Sequence, residues 1–160
     1  MTIIIRCDSS NSIGGGHVKR CITLGQELKF RNQKVIFFTT NSKGNLNKEI
    51  NKSFELVVID PYRKDKINNL VDIKNVDNKE YQRLDAELCL NAIMKRKINL
   101  INAIILDSYT LGNEWIIELK NLSSLKLINI EKTLYINDFN ATVSSFDFEL
   151  NQNQLEIKKE

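Results

Sequence analysis

Short apolar runs alternate along the chain with longer stretches in which apolar residues return every three or four positions. The runs are residues 2–7 (TIIIRC), 34–39 (KVIFFT), 55–59 (ELVVI), 102–106 (NAIIL) and 125–130 (LKLINI). They are rich in Ile and Val and mostly apolar on both faces, which is typical of buried parallel strands. The pattern therefore predicts five strands of one parallel sheet.

Three stretches between these runs have helical periodicity. Their apolar positions are Val18, Cys21, Ile22, Gly25 and Leu28 in the first, Tyr81, Leu84, Leu88 and Ala92 in the second, and Leu111, Trp115 and Leu119 in the third. Asp77 or Asn78 is expected to cap the second helix, and Asn113 the third. Residues 41–53 and 61–78 are polar and are expected to form loops or short irregular helices. The alternation predicts an α/β fold, with a Rossmann-like parallel sheet and helices on both faces.

The composition indicates a globular protein and argues against a membrane, secreted or nucleic-acid-binding protein. A chain of 160 residues with 42% hydrophobic and 27% charged residues suits one globular domain spanning residues 1–160. No apolar run approaches the roughly 20 residues of a membrane span, and no signal peptide precedes the first strand. The three cysteines, Cys7, Cys21 and Cys89, are widely spaced, form no CxxC motif and are expected to be reduced. We therefore expect a soluble cytoplasmic protein without membrane contacts. The net charge of +3 is too small to indicate nucleic-acid binding.

The stretch DSSNSIGGGH, residues 8–17, follows the first predicted strand and leads into the first helix. In a parallel sheet, ligands bind beyond the carboxyl ends of the strands, where such loops lie. Glycines let backbone N–H groups approach a ligand, and the amides at a helix start favour an anion. Neither the GxGxxG pattern nor the GK[ST] pattern is present. The stretch therefore fits either a ligand cradle or a tight turn.

His17 is the single histidine of the chain and lies at the predicted helix start. A helix N-terminus disfavours the imidazolium, so this residue is a candidate general base, with Asp8 a candidate to fix its tautomer. The alternative is a structural or exposed histidine. A two-histidine metal site is excluded because there is no second histidine, and we expect no metal.

Four motifs occur in one order along most of the chain: IIIRCDSSNSIGGGHVKRCITLGQEL, EYQRLDAELCLNAI (80–93), AIILDSYTLGNEW (103–115) and FELNQN (148–153). Together they resemble the UDP-sugar hydrolases of pseudaminic acid biosynthesis, which cleave UDP-2,4-diacetamido-2,4,6-trideoxy-β-L-altropyranose. Related spore-coat polysaccharide proteins share much of the pattern. The resemblance implies one half of a glycosyltransferase-B-like architecture, the N-terminal domain that holds the sugar and the catalytic base.

By this resemblance His17 would activate the water that attacks the anomeric carbon, releasing UDP and the free sugar without metal or cofactor. The substrate-binding residues would be Asp8, Ser10, Gly14, Gly15, Gly16, Arg20 and Tyr109. The glycines would admit the diphosphate or sugar, and Tyr109 would line the sugar site. Each also has a plainer interpretation. Tyr109 would be a rim aromatic, Asp8 and Asp107 loop-capping carboxylates, Ser9, Ser10 and Arg20 solvated groups, and Asp85 a helix-face residue.

Two departures from the family pattern stand out. The family has Ile-Asp-Asp after its fifth strand, where LINIEKT places Glu131 and Lys132. The sequence also stops at Glu160, where the family continues into its C-terminal UDP-binding domain. We therefore expect a C-terminal half as partner, or a homodimer formed through the apolar surface that such a domain would cover. The alternatives are a nucleotide-sugar glycosyltransferase half-domain and a non-catalytic truncated relative.

Overall fold

The computed structural model describes residues 1–60, 78–138 and 143–151, together with the backbone of 157–158. Strands and helices alternate through this part of the chain. In chain order the elements are β1 (Thr2–Cys7), α1 (Gly16–Phe30), β2 (Lys34–Thr40), α2 (Asn47–Ile50), β3 (Glu55–Ile59), α3 (Lys79–Lys95), β4 (Leu100–Ile101), β5 (Ala103–Asp107), α4 (Asn113–Leu125), β6 (Asn129–Ile130), β7 (Thr133–Asn137), β8 (Phe148–Asn151) and β9 (Ile157–Lys158).

The main sheet has the strand order β3-β2-β1-β5-β7-β8-β9 within the described residues, and β4 pairs separately with β6. Neighbouring strands from β3 to β8 run parallel, whereas β9 runs antiparallel to β8. In register, Ile4 of β1 lies between Ile36 of β2 and Ile104 of β5. The predicted Rossmann-like α/β fold is confirmed, with β9 as an antiparallel edge.

Alternate residues of β1 enter two hydrophobic cores, one on each face of the sheet. Ile3, Ile5 and Cys7 pack on the face that α1 covers. Ile4 packs on the face that α3 and α4 cover, and Arg6 points to the same side, toward α3. Helices therefore lie on both faces, and the parity of a residue along its strand decides which face its side chain reaches.

The second predicted helix, α3, starts where the capping signal places it. The side chain of Asn78 accepts a hydrogen bond from the backbone N–H of Tyr81 at 3.0 Å. Asp77, the other candidate cap, lies outside the described residues. The buried face is displaced from the predicted apolar row, since Leu84, Leu88 and Ala92 are only half-buried. The buried residues of α3 are Tyr81, Gln82, Asp85, Ala86, Cys89, Leu90 and Ile93.

The third predicted helix, α4, is capped by a neighbouring helix rather than by Asn113. The backbone N–H groups of Gly112 and Trp115 donate to Oε1 of Gln82 on α3, at 2.8 and 3.1 Å. The Asn113 side chain instead accepts hydrogen bonds from the backbone of residues 144 and 145. Gln82 can cap α4 because α3 and α4 pack side by side on one face.

The predicted strand at residues 125–130 is wrong. Helix α4 continues to Leu125, Leu127 has a positive φ of 57° and is 89% exposed, and only Asn129–Ile130 is extended, in the small β4-β6 sheet. The fifth parallel strand of the main sheet is β7, Thr133–Asn137. Its sequence, TLYIN, mixes Thr, Tyr and Asn with two apolar residues, so it lacks the continuous apolar run by which the other strands were recognised.

The expectations about thiols and polar segments agree with the structure where it describes them. Cys7, Cys21 and Cys89 are free and buried, and burial raises the pKa of the Cys89 thiol. Residues 41–53 contain only the four-residue helix α2, while residues 61–77 of the second polar segment lie outside the described part. Among the helices described, none is long and apolar enough to cross a membrane.

Candidate active site

The candidate site lies at the carboxyl edge of the sheet, where β1 and β5 are neighbours. After β1 the chain passes through α1 to β2 on one side, and it later returns to β5 on the other side of β1. Strand order reverses at this point, and the loops that follow β1 and β5 separate to leave a crevice. The crevice is where open α/β sheets bind their ligands.

The glycine stretch forms a tight loop held by Ser10. The Ser10 hydroxyl accepts hydrogen bonds from the backbone N–H groups of Ser12 and Ile13, and the Ser10 carbonyl accepts from Gly14 N at 2.8 Å. Gly14 has a φ of 82°, a left-handed conformation that disfavours other residues. A Cβ on Gly15 would lie 2.9 Å from Leu46 Cδ1. Gly14 therefore has a backbone reason to be glycine, whereas a side chain at Gly15 would require only that Leu46 shift, and the contact of either with a ligand stays a prediction.

His17 lies in the first turn of α1 and is 3% exposed. Its Nδ1 is 2.5 Å from Oδ1 of Asp107 at the end of β5. Because an ionised carboxylate only accepts, Nδ1 donates its proton to Asp107. Nε2 is buried and has no hydrogen-bond partner among the described residues. A histidine held by a carboxylate at Nδ1, with Nε2 unbonded within the described residues, has the arrangement of a general base.

Asp8 does not perform the orienting role expected of it. Its carboxylate accepts from the backbone N–H and hydroxyl of Thr40, at 2.7 and 2.9 Å, and pairs with Arg6 Nη1 at 2.7 Å. Parity explains the difference, because Asp8 continues the row of Ile4 and Arg6, on the side of α3. Asp107 continues the row that packs under α1, where His17 lies.

Arg20, one turn after His17, joins two carboxylates at the ends of adjacent strands. Its Nε donates to Asp107 Oδ2 at 2.5 Å, Nη2 contacts Asp107 Oδ1, and Nη1 donates to Asp138 at 2.6 and 2.8 Å. Burial alone would raise the pKa of Asp107, but hydrogen bonds from Arg20 and His17 outweigh it and hold that pKa below its ordinary value. Asp107 therefore remains a carboxylate at neutral pH.

Three residues of this cluster are also possible ligands of a metal ion. His17, Asp107 and Asp138 each offer a ligand atom, and these atoms lie within 4.8 Å of one another. However, the guanidinium of Arg20 already pairs with both carboxylates. The donor set thus contains its own cation, and a metal ion would have to displace it.

A pocket of about 600 Å³ opens beside this cluster, between the loops that follow β1, β2 and β5 and the start of α3. Its charged lining residues are Asp8 and Lys43. Its hydroxyl-bearing lining residues are Ser10, Ser12, Thr40, Ser42, Tyr81, Tyr109 and Thr110. A lining of many hydroxyls and few charges suits a polyhydroxylated or amidated ligand such as a sugar, whose groups both donate and accept hydrogen bonds.

Tyr109 connects the pocket with the histidine. It lines the pocket, and its ring contacts the His17 ring with centroids 3.9 Å apart and planes at 86°. The structure therefore places Asp8, Ser10 and Tyr109 on the pocket, and His17 and Arg20 behind it with Asp107. Gly14, Gly15 and Gly16 are not among the lining residues of this pocket.

Sequence reasoning missed the role of two acids. Asp85, interpreted only as a helix-face residue, is fully buried: it accepts from Arg6 Nε and Nη2 at 3.1 and 2.7 Å and from Trp115 Nε1 at 2.8 Å. An arginine inside the apolar run TIIIRC was the available signal, because a buried guanidinium requires a buried acid. Asp138, the partner of Arg20, was not singled out at all.

Asp138 also corrects the apparent loss of the acidic segment after the fifth strand. The fifth parallel strand is β7, so the residues at its carboxyl end are Ile136, Asn137 and Asp138. An acid therefore follows the fifth parallel strand, and it reaches the site, where it pairs with Arg20. Glu131 lies at the opposite end of the sheet, where its side chain accepts from Asn102 Nδ2 at 2.8 Å.

Comparison with known proteins adds no family assignment. No family model matches the sequence, and a search of curated proteins gives no significant match. The chemistry of the site must therefore be inferred from its geometry and from the motifs that the sequence carries.

Proposed function

We propose that this chain is the sugar-binding half of a UDP-sugar hydrolase in which His17 is the general base. The substrate proposed is UDP-2,4-diacetamido-2,4,6-trideoxy-β-L-altropyranose, cleaved to UDP and the free sugar in pseudaminic acid biosynthesis. One observation carries the proposal: a histidine oriented by Asp107, whose Nε2 has no partner in the described part of the chain, lies behind a hydroxyl-lined pocket at the switch point of the sheet. The substrate itself comes from the resemblance of the motifs.

The chemistry requires one proton acceptor and one nucleophile. Nε2 of His17 takes a proton from water while the water oxygen bonds to the anomeric carbon. The bond from that carbon to the diphosphate oxygen breaks, and UDP leaves with the electron pair. The imidazolium formed is stabilised by Asp107, whose carboxylate contacts Nδ1 at 2.5 Å. General-base catalysis of this kind contributes typically about 10²- to 10⁴-fold.

The pocket residues are proposed to position the sugar. Ser10 and Tyr109 offer hydroxyl groups to the acetamido and ring oxygens, while Asp8 holds the Thr40 hydroxyl in place. Gly14, Gly15 and Gly16 are proposed to allow the diphosphate close to the start of α1, where unpaired amides favour an anion. Arg20 is proposed to affect substrate binding only indirectly, by holding Asp107 in place. Its guanidinium pairs with two carboxylates.

We propose further, from the resemblance of the motifs, that a UDP-binding domain outside residues 1–160 holds the nucleotide. Orientation of the substrate by such remote binding is worth about 7 to 11 kcal/mol, so the isolated chain should turn over slowly. The reduced, buried thiols suit a cytoplasmic location.

The test is an assay of UDP and free sugar, by liquid chromatography and NMR, from the diacetamido sugar nucleotide. The chain is tested alone and with the C-terminal half of a related hydrolase added. With the complement present, His17→Ala should lower the rate by about 10²- to 10⁴-fold. Lys48→Gln, an exposed change on α2, serves as the control and should leave the rate unchanged.

The products decide between the proposal and its rivals. Equal hydrolysis by the complemented chain with alanine at position 17 would show that the base is assigned wrongly. Sugar found on an acceptor would indicate a glycosyltransferase. No reaction with any complement or acceptor would indicate a non-catalytic relative.

A further inference from the structure

The accepting nitrogen of the proposed base is closed off from solvent. His17 Nε2 is buried and has no hydrogen-bond partner among the described residues, and the whole residue is 3% exposed. A general base must reach its water within hydrogen-bonding distance. Some group next to His17 must therefore move before the base can act.

Tyr109 is the neighbour placed to do so. Its ring lies against the imidazole with centroids 3.9 Å apart, closer than the roughly 4.5 to 7 Å usual for aromatic pairs. The same residue lines the 600 Å³ pocket, and it is half-buried. Two other residues that contact or adjoin His17, Asp107 and Val18, are fully buried, whereas Tyr109 reaches the pocket. Arg20 is held by two ion pairs.

We propose that Tyr109 controls access to the base: its ring covers His17 Nε2 in the empty site and is displaced when a sugar fills the pocket. This inference rests on the proposed function for His17 as the base and for the identity of the sugar, while the contact between the two rings depends on the geometry alone. It makes Tyr109 a specificity-determining residue, because a ligand too small to displace the ring would leave the base closed. Water alone would then not be activated.

Chemical modification tests the covering directly. Diethylpyrocarbonate acylates an unprotonated, accessible imidazole, and the chain has a single histidine, so the ultraviolet signal of the modified ring reports on His17 alone. Peptide mass spectrometry confirms the modified position. In the folded wild type the reaction should be at least about tenfold slower than in the urea-unfolded chain, because it requires local opening.

Three variants distinguish the effect of the Tyr109 ring on the modification rate from the effect of its hydroxyl. Tyr109→Phe keeps the ring and should protect His17 as the wild type does. Tyr109→Ala removes the ring and should raise the modification rate about tenfold, toward that of the unfolded chain. Tyr109→Leu keeps apolar volume without an aromatic plane and should give an intermediate rate. Circular dichroism and urea titration confirm that each variant is folded.

NMR spectroscopy follows the position of the Tyr109 ring without chemical modification. The Tyr109 ring current shifts the carbon-bound proton resonances of His17, and this shift should disappear in Tyr109→Ala. Saturating the wild type with the diacetamido sugar nucleotide should move the same resonances toward their positions in Tyr109→Ala.

Three results would overturn the inference: rapid modification of His17 in the folded wild type, protection that survives Tyr109→Ala and Tyr109→Leu, or ligand binding that leaves the His17 resonances in place. Failure of the proposed function looks different. In that case hydrolysis is absent while protection by the Tyr109 ring is still measured.

Discussion

Asp107 is the residue on which the candidate site depends. It is fully buried, and its two oxygens contact His17 Nδ1, the guanidinium of Arg20 and the thiol of Cys21. A buried carboxylate is costly unless a positive group or several donors compensate it. Arg20 supplies that charge, and Asp138 fixes Arg20 in position.

Replacing Arg20 should therefore lower the stability of the whole chain. Arg20→Gln leaves Asp107 buried without its cation and should reduce the free energy of unfolding by about 2 kcal/mol. Arg20→Lys keeps the charge but loses the two-pronged geometry, so a smaller loss is expected. Urea titration at neutral pH measures both.

Arg31→Gln, at the C-cap of the same helix, is the matched control. Arg31 pairs with Glu27 at 2.7 Å, but its side chain is 70% exposed, so its loss should cost less than about 0.5 kcal/mol. Equal losses for Arg20→Gln and Arg31→Gln would show that the buried ion pair does not stabilise the fold.

At the scale of elements, the position of α1 on the sheet is set by a glycine. A Cβ on Gly25 would lie 3.0 Å from Phe54 Cζ and 3.2 Å from Phe37 Cε2. The absence of a side chain therefore lets the helix approach the sheet closely. That approach brings the first turn of α1, with His17, over the end of β5.

Gly25→Ala tests this close packing. Alanine favours a helix by about 1 kcal/mol over glycine, but the two aromatic rings would have to shift. We expect the crowding to prevail and the free energy of unfolding to fall by about 1 to 2 kcal/mol. Thermal and urea unfolding give the value.

Gly16→Ala supplies the comparison within the same helix. Apart from its chain neighbours and the backbone of its own helix turn, no atom of the described residues lies within 4 Å of a Cβ built on Gly16, so this substitution should be neutral or slightly stabilising. If both substitutions changed stability by the same amount, propensity rather than packing would account for Gly25.

For the molecule as a whole, the carboxyl edge of the sheet carries two charged clusters on opposite faces. His17, Asp107, Arg20 and Asp138 lie on the side of α1, while Arg6, Asp8 and Asp85 lie on the side of α3. Both depend on ionised carboxylates. Stability of the fold should therefore depend on pH in the acid range.

The direction of this pH dependence of stability follows from Asp107, whose pKa is lower in the folded chain than its ordinary value. Such a group contributes stability at pH values above the ordinary pKa of about 3.9, and that contribution is lost as the pH falls through the lower folded-state pKa. Urea midpoints should be nearly constant from neutrality to about pH 5 and fall below about pH 4.

Asp107→Asn should be less stable at neutral pH and should lose less stability on acidification. A variant with the same acid dependence as the wild type would contradict the assignment of this sensitivity to Asp107.

Much of the fold could be predicted because it depends on local pattern. The runs TIIIRC, KVIFFT and ELVVI form β1, β2 and β3, the row Val18, Cys21, Gly25 faces the core, and His17 lies in the first turn of α1. Strand β7 was missed because TLYIN carries polar side chains toward the site and toward Asp147, whose carboxylate accepts from Thr133 at 2.7 Å.

The sequence by itself determined the first three strands, the three long helices and the position of the single histidine at a helix start. Each of these features depends on residues that lie close to one another in the sequence. Only the tertiary structure decided that His17 pairs with Asp107, 90 residues away, rather than with nearby Asp8. Strand order made β5 the neighbour of β1, and residue parity turned Asp107 toward α1 and Asp8 away from it. The pairings of Arg20 with Asp138 and of Arg6 with Asp85 were decided in the same way, by which elements the crossovers bring together.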